Sequence, residues 1–304
     1  MSSLSSDARR ETRDRKVSLL ELGRMKQRGE KIAAVTAYDA PSGRLADLAG
    51  VDWVLVGDSA AMTLFGSDTT ASATMDEMLL LTRAVVRGVR HAFVVADMPF
   101  GSYQVSDDDA VENAIRFVKE AGADAVKLEG GGTSIRRADA IVAAGIPVVG
   151  HLGLTPQSAT MLGGFKIQGH TADQAQRIYQ DALALEQSGC CAIVLEAVPT
   201  VVARQITDSI RIPTIGIGAG ASCDGQILVW HDMLGLTEGH VARFVKRYAE
   251  LGEAIRSALA TYVAEVRTSQ FPEPRHTYTM TTLERERFEL HQARLKQTLV
   301  RLTD

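Results

Sequence analysis

Eight short apolar runs recur along this chain, most of them separated by a stretch with the apolar spacing of a helix. The runs fall at 32–37, 53–57, 93–96, 125–128, 148–150, 193–195, 214–218 and 227–229. Their apolarity is continuous rather than alternating, as a strand covered on both faces requires. Helices are expected at 42–49, 75–89, 107–121, 134–144, 172–188 and 200–209. Gly50, Gly122, Gly145 and Gly189 stand just before the next strand, where glycine readily ends a helix. Strand–helix repeats force neighbouring strands to run parallel, since a parallel pair needs a long crossover. Eight such repeats in about 250 residues are the size of a closed barrel. The expected fold class is therefore α/β, a (β/α)8 TIM barrel. An open doubly wound sheet is the competitor, but no G-x-G-x-x-G follows the first strand. Only residues 219–226 separate the last two runs, so a single turn of helix is expected there instead of a full crossover.

The barrel is assigned to residues 17–268. Residues 1–16 are polar and charged with no apolar segment, and read as a disordered arm, not a secretory signal. After the eighth run come helical patterns near 240–268, a proline-containing stretch at 271–274, and another helical pattern at 283–302. Residues 269–304 read as a partly helical extension outside the barrel, a solvated surface helix or an oligomer contact.

Composition narrows the classes of function. Lys plus Arg is 33 and Asp plus Glu is 37, a formal charge of −4. No basic patch points to a nucleic acid or a membrane surface, and no run of about 18 apolar residues points to a membrane span. The three cysteines, Cys190, Cys191 and Cys223, are odd in number and form no C-x-x-C. A reducing, cytoplasmic setting is expected, without disulfide or structural zinc.

The chemistry sits where the strands end. Asp39 follows the first run, Asp58-Ser59 the second, Asp97 the third and Glu129 the fourth, two residues after Lys127. His151 follows the fifth, Glu196 the sixth, and His231-Asp232 the eighth. In a barrel these ends share one face, the face that carries barrel active sites. Bare carboxylates that close repel, so they must be protonated or share a cation, and oxygen-only ligation suits a hard divalent ion such as Mg2+. Asp39 alone reads as a helix cap, and Asp232 reads equally as cap or site residue. Glu196 has a structural alternative, an ion pair with Lys127, and His151 an internal hydrogen bond. The other histidines, His170 among them, read as surface or helix-end residues. Gly216-Ile217-Gly218-Ala219-Gly220 only loosely resembles a phosphate loop, and close approach of a neighbour explains its small residues as well. The long segment 154–170 is of lid length.

Longer blocks carry a resemblance. Val35-Thr36-Ala37-Tyr38-Asp39, Val56-Gly57-Asp58-Ser59, Ala96-Asp97-Met98-Pro99-Phe100, Val126-Lys127-Leu128-Glu129-Gly130-Gly131 and Gly150-His151-Leu152-Gly153-Leu154-Thr155-Pro156-Gln157-Ser158 resemble the ketopantoate hydroxymethyltransferase family. So do Leu195-Glu196-Ala197-Val198-Pro199 and Cys223-Asp224-Gly225-Gln226-Ile227-Leu228-Val229, in order along 17–278. The resemblance implies a barrel of the phosphoenolpyruvate/pyruvate type and a homo-oligomer, decameric in many members. It implies transfer of a hydroxymethyl group from 5,10-methylenetetrahydrofolate to 3-methyl-2-oxobutanoate, giving 2-dehydropantoate, with Mg2+. By position, Asp58 and Asp97 would ligate the metal and Glu129 would complete its site. Ser59 and Lys127 would contact the 2-oxo acid and Glu196 would accept its proton, with His151 orienting substrate or handling a proton. Two departures stand out: residues 67–74 replace a family segment with a His and a Leu-Pro-Val-Thr run, and Ala61 replaces a usual Gly. The alternative enzyme class is a Mg-dependent 2-oxo acid lyase or mutase of the phosphoenolpyruvate mutase/isocitrate lyase type, for which Cys223 is the one loop nucleophile on offer. A non-catalytic barrel would have lost a ligand or the base, and this chain keeps all four carboxylates.

Overall fold

The eight apolar runs form eight parallel strands that close on themselves, each paired with the next and the last with the first. They are β1 (Ile32–Thr36), β2 (Trp53–Val56), β3 (Phe93–Asp97), β4 (Ala125–Glu129), β5 (Val148–Gly153), β6 (Ala192–Glu196), β7 (Thr214–Ile217) and β8 (Gly225–Leu228). The computed structural model describes residues 15–164, 166–239 and 241–303. The arm expected at 1–16 falls almost wholly outside the described residues. Among those described, no helix is long and apolar enough to cross a membrane.

Alternation along each strand builds two cores. Trp53, Leu55, Phe93, Val95, Val149, Ile215 and Ile227 fill the barrel interior. Val54, Val56, Val94, Val126, Leu128, Ile193 and Leu195 face the helical layer. That layer comprises α2 (Ala40–Ala49), the single turn α3 (Ala60–Thr63), α4 (Met75–Gly88), α5 (Asp107–Lys119), α6 (Thr133–Ala143), the single turn α7 (Ala159–Leu162), α8 (Ala172–Gln187) and α9 (Thr200–Ser209). Asp39 is the N-cap of α2, its carboxylate accepting from Ser42 N, as its position suggests.

An element that periodicity does not single out precedes them: α1 (Leu19–Arg28), capped by Ser18. Its Leu22 and Met25 join the interior cluster. Lys26 of α1 pairs with Asp224, just before β8, at 2.8 Å and donates to Thr207 O at 2.9 Å. The helix thus packs against the strand starts, away from the face where the strands end.

Two expectations are corrected. No helical turn joins β7 to β8; residues 218–224 make bends and a turn only. The partners bring Gly225 level with Ile215 and Ile32, so seven residues suffice to return the chain to the starting edge. Residues 241–250 are not helical either; after the single turn α10 (Trp230–Met233), the next helix, α11, spans Leu251–Arg267. Phe244 instead packs against the interior cluster, a tertiary contact that overrides a weak helical preference. Contacts group the described residues through Glu250 into one compact unit and those from Leu251 onward into a second. The second unit holds α11 and α12 (Thr282–Thr303), with Tyr262 of α11 edge-on to Phe271 at 5.6 Å.

Candidate active site

Strand direction and strand alternation place the site together. Asp97, Glu129 and Glu196 are each the last residue of their strand, Lys127 and His151 lie within one, and Asp58-Ser59 follow β2 by one residue. Lys127 and Glu129, two apart on β4, both point inward, as the spacing requires. All seven line a cavity of about 1250 Å3 at the end of the barrel where the strands finish. The long segment 154–170 contributes Leu154, Pro156, Lys166, Ile167 and His170 to its wall. His170, expected merely at the surface, is exposed and stands at this rim.

Asp58, Asp97, Lys127, Glu129 and His151 are buried, between 2% and 4% exposed, so their charges must be settled among themselves. Lys127 Nζ sits 2.6 Å from Asp97 Oδ1, 3.7 Å from Glu129 Oε1 and 3.3 Å from His151 Nδ1. Burial works against its ammonium, but Asp97, Glu129 and Asp58 outweigh burial and hold it charged. Burial and the charges of Asp97 and Glu129 push Asp58 well above the ordinary carboxylate range. Asp97 is also pushed up, by burial, with Lys127 pulling the other way. Glu129 goes down: burial raises it, but the His151 hydrogen bond and the Lys127 charge prevail.

The ion pair expected as the bland account of Glu196 is not there. Lys127 pairs with Asp97 and Glu129, while Glu196 Oε2 stands 3.3 Å from His151 Nε2. That separation is ion-pair reach without hydrogen-bond alignment, and Nε2 has no hydrogen-bond partner. Burial and the Lys127 charge lower His151, but Glu129 and Glu196 overcome them and raise it to about 9. Glu196 is the most open of the carboxylates, its side chain 15% exposed. Ser59 Oγ shares a 2.8 Å hydrogen bond with Tyr38 OH, which in turn accepts from Thr36 Oγ1.

The three proposed metal carboxylates are not gathered around one point. Among the described residues, no three His, Cys, Asp or Glu side chains are placed to hold an ion. Asp58 and Asp97 adjoin, with Asp58 N donating to Asp97 Oδ2 at 3.2 Å. Glu129 is joined to Asp58 through Gln157. His231 and Asp232 belong to α10, not β8, yet both line the cavity. His231 packs its ring 5.4 Å from Tyr38, and Asp232 accepts from Thr237.

Sequence reasoning missed Gln157 and Tyr103. Gln157 N donates to Glu129 Oε2 at 3.0 Å, and Gln157 Nε2 to Asp58 Oδ2 at 2.9 Å. Tyr103 OH donates to Gln157 Oε1 at 2.6 Å. A Thr-Pro-Gln-Ser turn immediately after a strand that carries a site histidine was the available signal.

Cys223 is fully buried just before β8, at the opposite end of the barrel from this cavity, and burial raises its thiol. It is no candidate nucleophile for the site. The small residues near Gly218 serve close packing: at φ 66° Gly218 lies under Phe244, and no helix follows whose N-terminus could hold a phosphate.

Comparison with known proteins agrees with the barrel fold. Solved structures of the same fold include phosphonopyruvate hydrolase, TM-score 0.57 and 14% identity over 94% of this chain and 98% of that one. A phosphoenolpyruvate phosphomutase from Streptomyces platensis subsp. rosaceus gives TM-score 0.56 and 14% identity over 93% and 99%. At that identity the likeness establishes the barrel type alone. Sequence relatives are much nearer. The 3-methyl-2-oxobutanoate hydroxymethyltransferase of Moorella thermoacetica is 55% identical over 263 residues, 86% of this chain and 98% of the relative. That of Thermoanaerobacter sp. (strain X514) is 51% identical over 267 residues, 88% and 97%. The family model for ketopantoate hydroxymethyltransferase matches residues 16–274, and the chain belongs to that family.

Proposed function

We propose that this chain transfers a hydroxymethyl group from 5,10-methylenetetrahydrofolate to 3-methyl-2-oxobutanoate, giving 2-dehydropantoate in pantothenate synthesis, with Mg2+ as its cation. The observation that carries the reading is the pairing at the cavity: an accessible carboxylate, Glu196, faces His151, beside two buried carboxylates, Asp58 and Asp97, driven toward protonation.

Carboxylate oxygens are donors of the kind a divalent cation takes, although the three do not converge on one point. Burial pushes both adjoining carboxylates up, a cost that a bound cation would relieve, and hard oxygen donors are what Mg2+ prefers. Asp58 and Asp97 would ligate it directly, and Glu129, tied to Asp58 through Gln157, would complete the site. When bound, the cation supplies Lewis-acid stabilisation of charge on the keto oxygen of a 2-oxo acid. A phosphonopyruvate hydrolase of this fold binds oxalate and Mg2+.

The chain's own residues do the rest. Lys127, held charged at the cavity floor, offers the substrate carboxylate a charge-assisted donor, and the Ser59 hydroxyl is a second contact. Glu196 accepts the C3 proton. His151, within ion-pair reach of Glu129 through Nδ1 and of Glu196 through Nε2, holds that base in place against the substrate. The C3 carbon nucleophile then bonds to the one-carbon unit as both of that carbon's C–N bonds break, water supplying the hydroxyl oxygen and tetrahydrofolate leaving. Cys223, the loop nucleophile on offer for the lyase alternative, is remote from the cavity. Homo-oligomer formation, decameric by family resemblance, belongs to the same reading, supported by exposed Ile255, Leu259 and Tyr262 on α11. So does a reducing cytoplasmic setting, supported by three free cysteines.

Proton NMR in heavy water tests it. With Mg2+, the methyl doublet of 3-methyl-2-oxobutanoate should collapse, and hydroxymethyl signals should follow addition of 5,10-methylenetetrahydrofolate. Glu196→Gln should do neither; near-normal turnover by that variant overturns the role of Glu196. Wild-type protein that shows no exchange, with EDTA making no difference, overturns the reading as a whole.

A further inference from the structure

Gln157 joins the candidate ligands Asp58 and Glu129 without being a ligand itself. It sits on the 3-10 turn Pro156–Ser158 that opens the long segment after β5, and is 6% exposed. Its side-chain NH2 donates to Asp58 Oδ2 and to Met98 O, both at 2.9 Å. Its backbone N–H donates to Glu129 Oε2 at 3.0 Å. Its Oε1 accepts from Tyr103 OH at 2.6 Å. Tyr103 OH in turn accepts from Glu129 N at 3.1 Å.

These bonds leave the amide one orientation. A donor on Oε1 and an acceptor at each NH2 hydrogen exclude the flipped form, which would set Oε1 against the Asp58 carboxylate. Each carboxylate then has one oxygen engaged by residue 157. Glu129 Oε1, the other oxygen of that carboxylate, lies 3.7 Å from Lys127 Nζ and 3.4 Å from His151 Nδ1. A carboxylate at 157 in place of the amide would add another charge to a group that already repels itself.

We propose that Gln157 is a positioning residue that presents Asp58 and Glu129 to the divalent cation, and that Tyr103 acts through it by locking the amide. This rests on the metal reading above. Outer-shell partners of this kind typically alter metal affinity by about 10- to 100-fold when removed. The turn that opens the long segment is thereby tied to the metal carboxylates, so loop and ligand set order together.

The test uses the full chain with Mn2+ as the probe, free ion being followed by electron paramagnetic resonance, and with thermal unfolding recorded alongside. Wild type and Asp58→Asn come first. Stoichiometric Mn2+ binding that Asp58→Asn abolishes sustains the metal reading; no binding by wild type overturns that reading and the clamp with it. Tyr103→Phe, Gln157→Leu and Gln157→Glu follow. Tyr103→Phe removes one hydroxyl and keeps the ring, so it tests the lock even if the Gln157 variants fold poorly. The expected result is Mn2+ affinity about 10-fold weaker or more in Tyr103→Phe and Gln157→Leu, with heavy-water exchange of the substrate C3 proton largely recovered at saturating Mn2+. Wild-type Mn2+ affinity in a folded Tyr103→Phe, or weakened exchange that saturating metal leaves unchanged, overturns the clamp while leaving the metal reading standing.

Discussion

Glu196 Oε2 and His151 Nε2 face each other at 3.3 Å across the ends of adjacent strands β6 and β5. The relationship is set by register, which pairs Gly153 with Glu196 and His151 with Val194. An imidazole pushed to about 9, with Glu129 and Glu196 overcoming its burial, is a cation at neutral pH and fixes where the Glu196 carboxylate stands. Replacing His151 by Gln should therefore slow C3-proton exchange by about 100-fold per folded molecule, with a lower melting temperature because Glu129 loses a buried partner. Exchange at the wild-type rate in that variant, read by the same NMR assay, would make the contact purely structural.

Lys127 neutralises the floor of the cavity. Lys127→Met leaves Asp97 and Glu129 buried without their cation, and losing one partner of a buried pair costs about 3–5 kcal/mol. Urea unfolding in EDTA should show that loss, and added Mg2+ should recover part of it, because a cation would then compensate the same charges. A loss below about 1 kcal/mol, the range of surface pairs, would mean the carboxylates carry protons already.

Acid stability should depend on a residue far from the site. Asp47 accepts from the backbone N–H of Arg90, His91 and Ala92 at 3.1, 2.9 and 2.8 Å, and its Oδ2 lies 2.9 Å from His91 Nδ1. Burial favours the neutral acid, but these donors outweigh it and hold the carboxyl below its ordinary value. Its contribution is therefore complete above the unfolded pKa of about 3.9 and disappears as pH falls through the lower folded value. Asp47→Asn should cost about 1.5–3 kcal/mol at neutral pH, with the gap closing in strong acid. Urea midpoints that differ equally at neutral and strongly acidic pH would contradict this.

Gly153 ends β5 at φ 96°, and a Cβ there would run into Glu196 O and the Val198 side chain. Gly153→Ala should cost about 1–3 kcal/mol in strain and displace the strand end that carries Glu196. Exchange per folded molecule should fall further than the folded fraction does. A variant that is less stable but equally active per folded molecule would show that Glu196 tolerates the shift.

Local pattern accounts for what was legible. Continuous apolar runs mark strands buried on both faces wherever they occur, so β1 to β6 appear within a few residues of their expected bounds. Strand direction then puts Asp58, Asp97, Lys127, Glu129, His151 and Glu196 on one face, whatever their partners. The turn from β7 to β8 and the chain at 241–250 were misread because tertiary contacts, Gly225 against Ile32 and Phe244 in the interior, decide them. Helix α1 escaped notice for a similar reason: its place is earned by Leu22 and Met25 under the barrel, not by propensity.

The sequence by itself determined the order of elements, the closed parallel barrel and the face on which the acids and Lys127 gather, because each follows from spacing along one strand or helix. Only the tertiary structure decided which of them touch. Lys127 goes to Asp97 and not to Glu196, His151 spans Glu129 and Glu196, and Gln157 reaches across from β5 to the acids of β2 and β4. Those choices depend on barrel register and on the burial of several charges in one small space, where each group's state is set by neighbours distant in the chain.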